Sequence, residues 1–228
     1  KYPNIIINPR YYTKFHYLID TSIYKSDYDM INKTRNAYYI THEFNPIFLK
    51  HKNVYFTCPF GNNSRYLYFK DLPYNDKKIK TKIPIYIIQG ELKRRNWNLL
   101  KKILENSYTY SYKIKIIGKG FIPPILQNLK IIYNDKIIIK QNLNFQDYHK
   151  EFIDCYGIIP CIDENTNYGY YKNKLTSSIS YGLGYDLYFI IDSKLQKIYN
   201  VNKCYIYHNN NIHETFKKSL IAYYNENI

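Results

Sequence analysis

The residues best equipped for chemistry converge on one short segment, Lys174-Leu175-Thr176-Ser177-Ser178. Leu175, Ile179 and Leu183 recur at helical spacing, so the segment opens a helix, with Gly184 where a C-cap is expected. A helix start offers free amides and the positive end of the helix dipole. Hydroxyls and an ammonium beside it suit an anion. Ordinary Ser/Thr capping with a solvated lysine is the alternative reading. A second group is Gly90-Glu91-Leu92-Lys93-Arg94-Arg95-Asn96, where Gly90 permits a tight backbone turn and two arginines at a helix start could meet a phosphate. Gly118-Lys119-Gly120, Gln141-Asn142-Leu143-Asn144 and the long polar stretch from Asp163 and Glu164 to Thr176 each follow a strand-like run in the same way.

Other motifs are absent or weak. There is no G-x-x-x-x-G-K-[ST], no G-x-G-x-x-G and no G-x-S-x-G, which argues against a Walker loop, a dinucleotide fingerprint and a serine hydrolase elbow. Asp27-Tyr28-Asp29 matches the D-x-D of metal-dependent sugar transferases, but no apolar strand runs into it, and it reads as a solvated loop. His42-Glu43 follows a strand-like run and is either a general-base candidate or a surface pair. The cysteines Cys58, Cys155, Cys161 and Cys204 form no C-x-x-C and lack a histidine at zinc-finger spacing, so buried free thiols in a reducing compartment are expected.

The elements that must position these groups alternate. Apolar runs at Ile85–Ile88, Lys113–Ile117, Lys136–Lys140, Tyr156–Pro160, Leu187–Ile191 and Cys204–Tyr207 read as strands. Between them lie helical patterns at Trp97–Leu104, Pro124–Leu129, Phe145–Asp154, Leu175–Leu183 and 193–199, with a last one marked by Ile212, Phe216 and Leu220. Continuous apolar strands are buried on both faces, the signature of a parallel sheet. The expectation is a doubly wound, mostly parallel Rossmann-like α/β domain over residues 84–228. Residues 1–70 read as a smaller, partial N-terminal α/β domain, with strands at Ile5–Ile7, Ala37–Thr41 and Val54–Thr57. Residues 71–83 read as a charged linker between prolines. The start at Lys1 suggests a trimmed N-terminus.

Composition narrows the partners. The chain has 228 residues, 45% of them hydrophobic, which excludes a disordered chain. Apolar runs stay short of a membrane span. The net charge is +15, and there are 30 tyrosines. Tyr, Asn, Lys and Ile all have AT-rich codons, so the excess reads as nucleotide bias. The basic residues are dispersed and no strand alternates Tyr with Lys or Arg, so a specific nucleic-acid platform is not expected. A general preference for anionic ligands remains.

Taken together, residues from about 84 onward resemble the C-terminal, donor-binding domain of GT-B fold glycosyltransferases. The likeness lies in Ile85–Gly90 with Arg94-Arg95-Asn96, in Lys113–Gly120, in the helix-then-strand unit Phe145–Pro160, and in the loop, helix and strand-Asp unit Asn173–Asp192. The chain is also similar to glycosyltransferase-like proteins of giant viruses, which would place it in the host cytoplasm or the virion. The resemblance implies a nucleotide-diphosphate sugar donor and metal-independent transfer to a glycan, protein or lipid acceptor, with no cofactor. Arg94, Arg95, Lys174, Thr176, Ser177 and Ser178 would face the diphosphate. Gly90, Gly118, Lys119, Asn142 and Leu143 would border the nucleotide, and Asp163 and Glu164 the sugar or ribose. His42 would be the catalytic base. Many family members carry an acidic residue in the donor loop that holds the sugar or ribose, followed by a helix opening with Glu, whereas here the helix opens with Lys174-Leu175-Thr176-Ser177-Ser178.

Overall fold

The computed structural model describes residues 18–19, 39–41, 44, 46, 49, 54–56, 58–60, 72–106, 108–209 and 211–226. The chain divides into two units. One comprises residues 1–67 with Gly169–Leu175, and the other Tyr68–Tyr168 with Thr176–Ile228.

In the first unit, β1 (Leu18–Ile19), β2 (Tyr39–Thr41) and β3 (Val54–Phe56) form a parallel sheet in that order. Leu18 pairs with Ile40, and Tyr39 with Val54. The strand expected at Ile5–Ile7 lies outside the described residues. Gly169–Leu175 belongs to this unit, and within it the Phe44 amide donates to the Asn173 carbonyl at 2.6 Å.

The second unit is built on six parallel strands: β4 (Ile85–Glu91), β5 (Lys113–Lys119), β6 (Ile137–Gln141), β7 (Gly157–Ile158), β8 (Tyr188–Asp192) and β9 (Cys204–Tyr207). Their order is β6-β5-β4-β7-β8-β9. The helices are α1 (Trp97–Leu104), α2 (Pro124–Ile132), α3 (Phe145–Lys150), α4 (Tyr168–Lys172, at the boundary between the units), α5 (Ser177–Gly184), α6 (Ser193–Tyr199) and α7 (Ile212–Asn225).

Strand periodicity sends alternate residues to opposite faces. Tyr86, Ile88, Ile114 and Ile116 pack with Leu100 and Ile103 of α1, Leu126 of α2, and Phe216 and Leu220 of α7. On the other face Phe152 stacks on Tyr185, with ring centroids 4.6 Å apart. There α5 comes close to the sheet because Gly182 lacks a side chain: a Cβ would fall 2.3 Å from Phe189 Cζ. Polar groups also enter this core with partners. The Tyr86 hydroxyl lies 2.7 Å from Ser219 Oγ, and His149 Nδ1 lies 2.6 Å from the Tyr185 hydroxyl.

Three expectations need correction. Helix α3 ends at Lys150 rather than Asp154, because Glu151 and Asp154 turn inward to reach Lys115. Gly184 is the last helical residue and no left-handed cap; that conformation is taken by Asp186, whose carbonyl accepts from Lys78 and Lys203. The segment read as a linker, 71–83, is fastened to the second unit: Ile79 donates to the Ile153 carbonyl at 2.8 Å, and the Tyr185 hydroxyl donates to the Pro73 carbonyl at 2.9 Å.

Candidate functional site at the carboxyl edge of the sheet

The chain steps outward from β4 through β5 to β6, then returns to lay β7 on the other side of β4. Such a reversal in an open parallel sheet leaves a crevice at the strands' carboxyl ends, where ligands of this architecture bind. Here the crevice lies between the loops that follow β4 and β7.

Gln89, near the end of β4, is 2% exposed and organises this edge. Its Nε2 donates to Ser177 Oγ and to Ser178 Oγ, each at 3.1 Å. Its Oε1 accepts from the Tyr148 hydroxyl of α3 at 2.6 Å. Burial pushes that phenol well above the ordinary tyrosine range, so it remains a proton donor. The Gln89 carbonyl accepts from Arg95 Nε at 3.0 Å and Nη2 at 2.6 Å. One residue thus ties α3, the start of α5 and the loop after β4 together.

Arg95 is 8% exposed and lies over Gly90. Gly90 has φ +121°, a backbone conformation that favours glycine, and a Cβ there would fall 2.0 Å from Arg95 Nη2 and displace the guanidinium. Arg94 points elsewhere: its side chain is 60% exposed, with Nε 2.6 Å from the Glu91 carboxylate, whose other oxygen meets Lys93 Nζ at 3.0 Å. The hydrogen bond from Lys93, helped by the charge of Arg94, holds the Glu91 carboxyl below its usual range.

The loops after β4 and β7 are laced together. The Asn96 amide donates to the Cys161 carbonyl at 2.7 Å, and Asn167 Nδ2 donates to the Arg94 carbonyl at 3.0 Å. Asn96 Nδ2 also donates to the Asp163 carboxylate. The other bonds to that carboxylate come from the Asn165 amide, the Thr166 amide and Thr166 Oγ1, at 2.9, 3.0 and 2.8 Å. Burial pulls this carboxyl upward, but the bonds from Thr166 and Asn96 outweigh it and hold it below the ordinary aspartate value. Glu164 is paired with Lys194.

Thr176 is the N-cap residue of α5 and is 1% exposed. Its amide donates to the Tyr199 hydroxyl at 3.2 Å, while its Oγ1 has no hydrogen-bond partner among the described residues. Next along the edge, a Cβ on Gly118 would lie 2.1 Å from the Gly90 carbonyl oxygen. Lys119 is exposed and Leu143 is half-buried. Asn142 adopts φ +53° and donates its amide to the Gly118 carbonyl at 3.0 Å.

The structure therefore brings Arg95, Ser177 and Ser178 into one hydrogen-bonded group with Gln89, with Gly90 against the Arg95 side chain and Thr176 next to Ser177. Lys174 falls in the first unit, where its amide donates to the Gly169 carbonyl at 2.7 Å. His42 and Asp27–Asp29 lie outside the described residues. Among the described residues no group of three or more His, Cys, Asp or Glu is placed to hold a metal ion. Nor is any helix long and apolar enough to cross a membrane.

Sequence reasoning missed Gln89, Tyr148 and the loop-lacing role of Asn96. The available signal was Gln89 itself, an amide interrupting the apolar run Ile85-Tyr86-Ile87-Ile88 just before its glycine.

The six parallel strands and flanking helices define a Rossmann-like α/β fold. No protein-family model matches the chain, and no curated protein matches it in sequence. Among solved structures, the crystal structure of TarM is similar, with a TM-score of 0.53 and 13% identity over 86% of this chain. The match covers 46% of TarM, so the chain spans under half of that protein's length. The likeness is one of fold.

Proposed function

We propose that the second unit binds the diphosphate of a nucleotide sugar at the β4–β7 crevice and that the protein transfers the sugar to a glycan, protein or lipid acceptor. The observation that carries this reading is the Gln89-held start of α5 at the switch point of a sheet that resembles TarM, a glycosyltransferase. As the bond from the anomeric carbon to the diphosphate oxygen breaks, negative charge gathers on the leaving phosphate. Helix amides and the Ser177 and Ser178 hydroxyls would stabilise that charge, and the nearby Arg95 guanidinium would lower its energy further. Fixed donors and cations of this kind serve without a metal. Asn142 and Leu143 would border the base, and Asp163 would shape the sugar side through the loop it caps. Arg94, exposed and paired with Glu91, and Lys174 and His42, which fall in the first unit, carry no part of this reading.

Thermal shift tests the binding step. A nucleoside diphosphate at a hundredfold excess over its Kd stabilises by about 2.7 kcal/mol, a rise of several degrees in Tm. Ser177→Asp places a carboxylate on the first residue of α5, which favours the helix but repels a diphosphate. The expected result is an undiminished basal Tm with no nucleotide-induced rise. An equal rise in the wild type and Ser177→Asp would reject the site. Release of free sugar from a nucleotide sugar then distinguishes a transferase from a protein that only holds the donor.

A further inference from the structure

We infer that Gln89 is a positioning residue that sets the hydrogen-bond polarity of Ser177 and Ser178, so that neither proton is spent on it and the exposed Ser177 hydroxyl donates to an anion. The inference rests on the diphosphate-site reading and deepens it. A carboxamide offers two N–H donors and one oxygen acceptor. Both Gln89 donors go to the two serine oxygens, and its oxygen takes the Tyr148 proton. With the amide turned over, Gln89 Oε1 would instead face the serines, consuming their protons. That orientation would set the amide N–H groups toward Tyr148 Oη, leaving one N–H and the phenol proton without a named acceptor in a buried place. The satisfied arrangement is the one observed, and leaving such groups unmade costs more than making them gains.

The consequence is directional. Each serine oxygen already accepts from Gln89 and has no other hydrogen-bond partner among the described residues, so its own O–H is left to donate. Ser177 is exposed, so its O–H at the amide end of α5 presents a positive edge to the space that the helix dipole also makes electropositive, while Ser178, the next residue, is buried. An independent observation sits at the same end: the Thr176 hydroxyl, at the N-cap position and 1% exposed, makes no capping bond and has no partner among the described residues. A buried N-cap hydroxyl without a bond is uncommon, and an anion held there would supply the acceptor.

Calorimetric titration with inorganic pyrophosphate, and with uridine, guanosine and adenosine diphosphates against their nucleosides, tests the assignment. Three full-chain variants are compared with the wild type. Gln89→Glu replaces the donors with acceptors, Gln89→Met removes both, and Tyr148→Phe releases the amide oxygen. For Gln89→Glu, diphosphate and pyrophosphate affinity is expected to fall about tenfold or more, with nucleoside affinity unchanged within about twofold. Gln89→Met should lose less, and Tyr148→Phe least. A purely structural role would weaken nucleoside and diphosphate together, so a parallel loss overturns the assignment, as does unchanged diphosphate affinity in both Gln89 variants. Should the Gln89 variants fail to fold, the same selective loss in Tyr148→Phe decides the matter. Failure of the wild type to bind any diphosphate or pyrophosphate rejects the diphosphate site itself, and this inference with it.

Discussion

Lys115 Nζ sits 2.7 Å from the Asp154 carboxylate inside the sheet face opposite the main apolar cluster, with the lysine only 5% exposed. Glu151 approaches the same ammonium at 3.1 Å and is shared with Lys140 at 2.6 Å. Burial lowers the lysine's proton affinity, yet the surrounding negative groups outweigh it and raise its pKa, so it stays charged. Removing one member of a buried ion cluster costs about 3–5 kcal/mol, because the remaining charge is left uncompensated. Lys115→Met, which strips the ammonium from both Asp154 and Glu151, is expected to lose that much in urea unfolding. Adding Glu151→Gln and Asp154→Asn should restore a large part, and a triple variant weaker than Lys115→Met alone would refute the account.

Gly90 and Arg95 form a second coupled pair. Gly90→Ala brings its Cβ against Arg95 Nη2 and adds strain at positive φ, for a combined loss of roughly 3 kcal/mol. In an Arg95→Ala background the steric part vanishes and only the backbone part remains. A double-mutant cycle should therefore give a non-additive coupling of about 1 kcal/mol or more, and additive losses would exclude the clash.

Asp163 gives the loop after β7 a pH dependence of known sign. Its carboxyl is held below the ordinary 3.8, so the folded state prefers the ionised form. That stability is present above pH 3.8 and is lost as the pH falls through the lower folded-state value. Asp163→Asn is expected to be less stable than the wild type at pH 6. The gap should shrink steadily as the pH is lowered below 4, read by thermal unfolding across the series. A gap independent of pH would show that the carboxylate charge contributes nothing.

Much of the sheet was readable from the sequence because each strand of the second unit is a nearly unbroken apolar run. All six appear, along with the helices between them, and Asp192 caps α6 through the Lys194 and Leu195 amides as a strand-end aspartate should. The short helix α4 escaped notice, since Tyr168-Gly169-Tyr170-Tyr171-Lys172 shows no amphipathic period. Strand β7 shrinks to two residues, with Pro160 close behind. The site was legible only as a set of strand-end loops. Which donor meets which acceptor depends on contacts between residues far apart in the chain, such as Gln89 with Ser177, and local pattern carries no trace of them. Asp163 illustrates the limit: its residue type suggested a hand for a ligand, while its bonds within its own loop and to Asn96 make it a brace.

The strand order has a consequence for how the molecule is made. Residues 85–141 supply three neighbouring strands, β4, β5 and β6, but β4 is a central strand whose second neighbour is β7. As the chain emerges from the ribosome, half a sheet can assemble while one flank of its middle strand stands bare. Such a flank is sticky, and distant pairings close late. Pulse-labelled exchange during refolding is expected to find amides of β5 and β6 sheltered before those of β7 and β8, with simultaneous shelter refuting that sequence. The crevice at the seam would then be the last part of the protein to come into being, and any ligand seated there would also seal the join between its earlier and later halves.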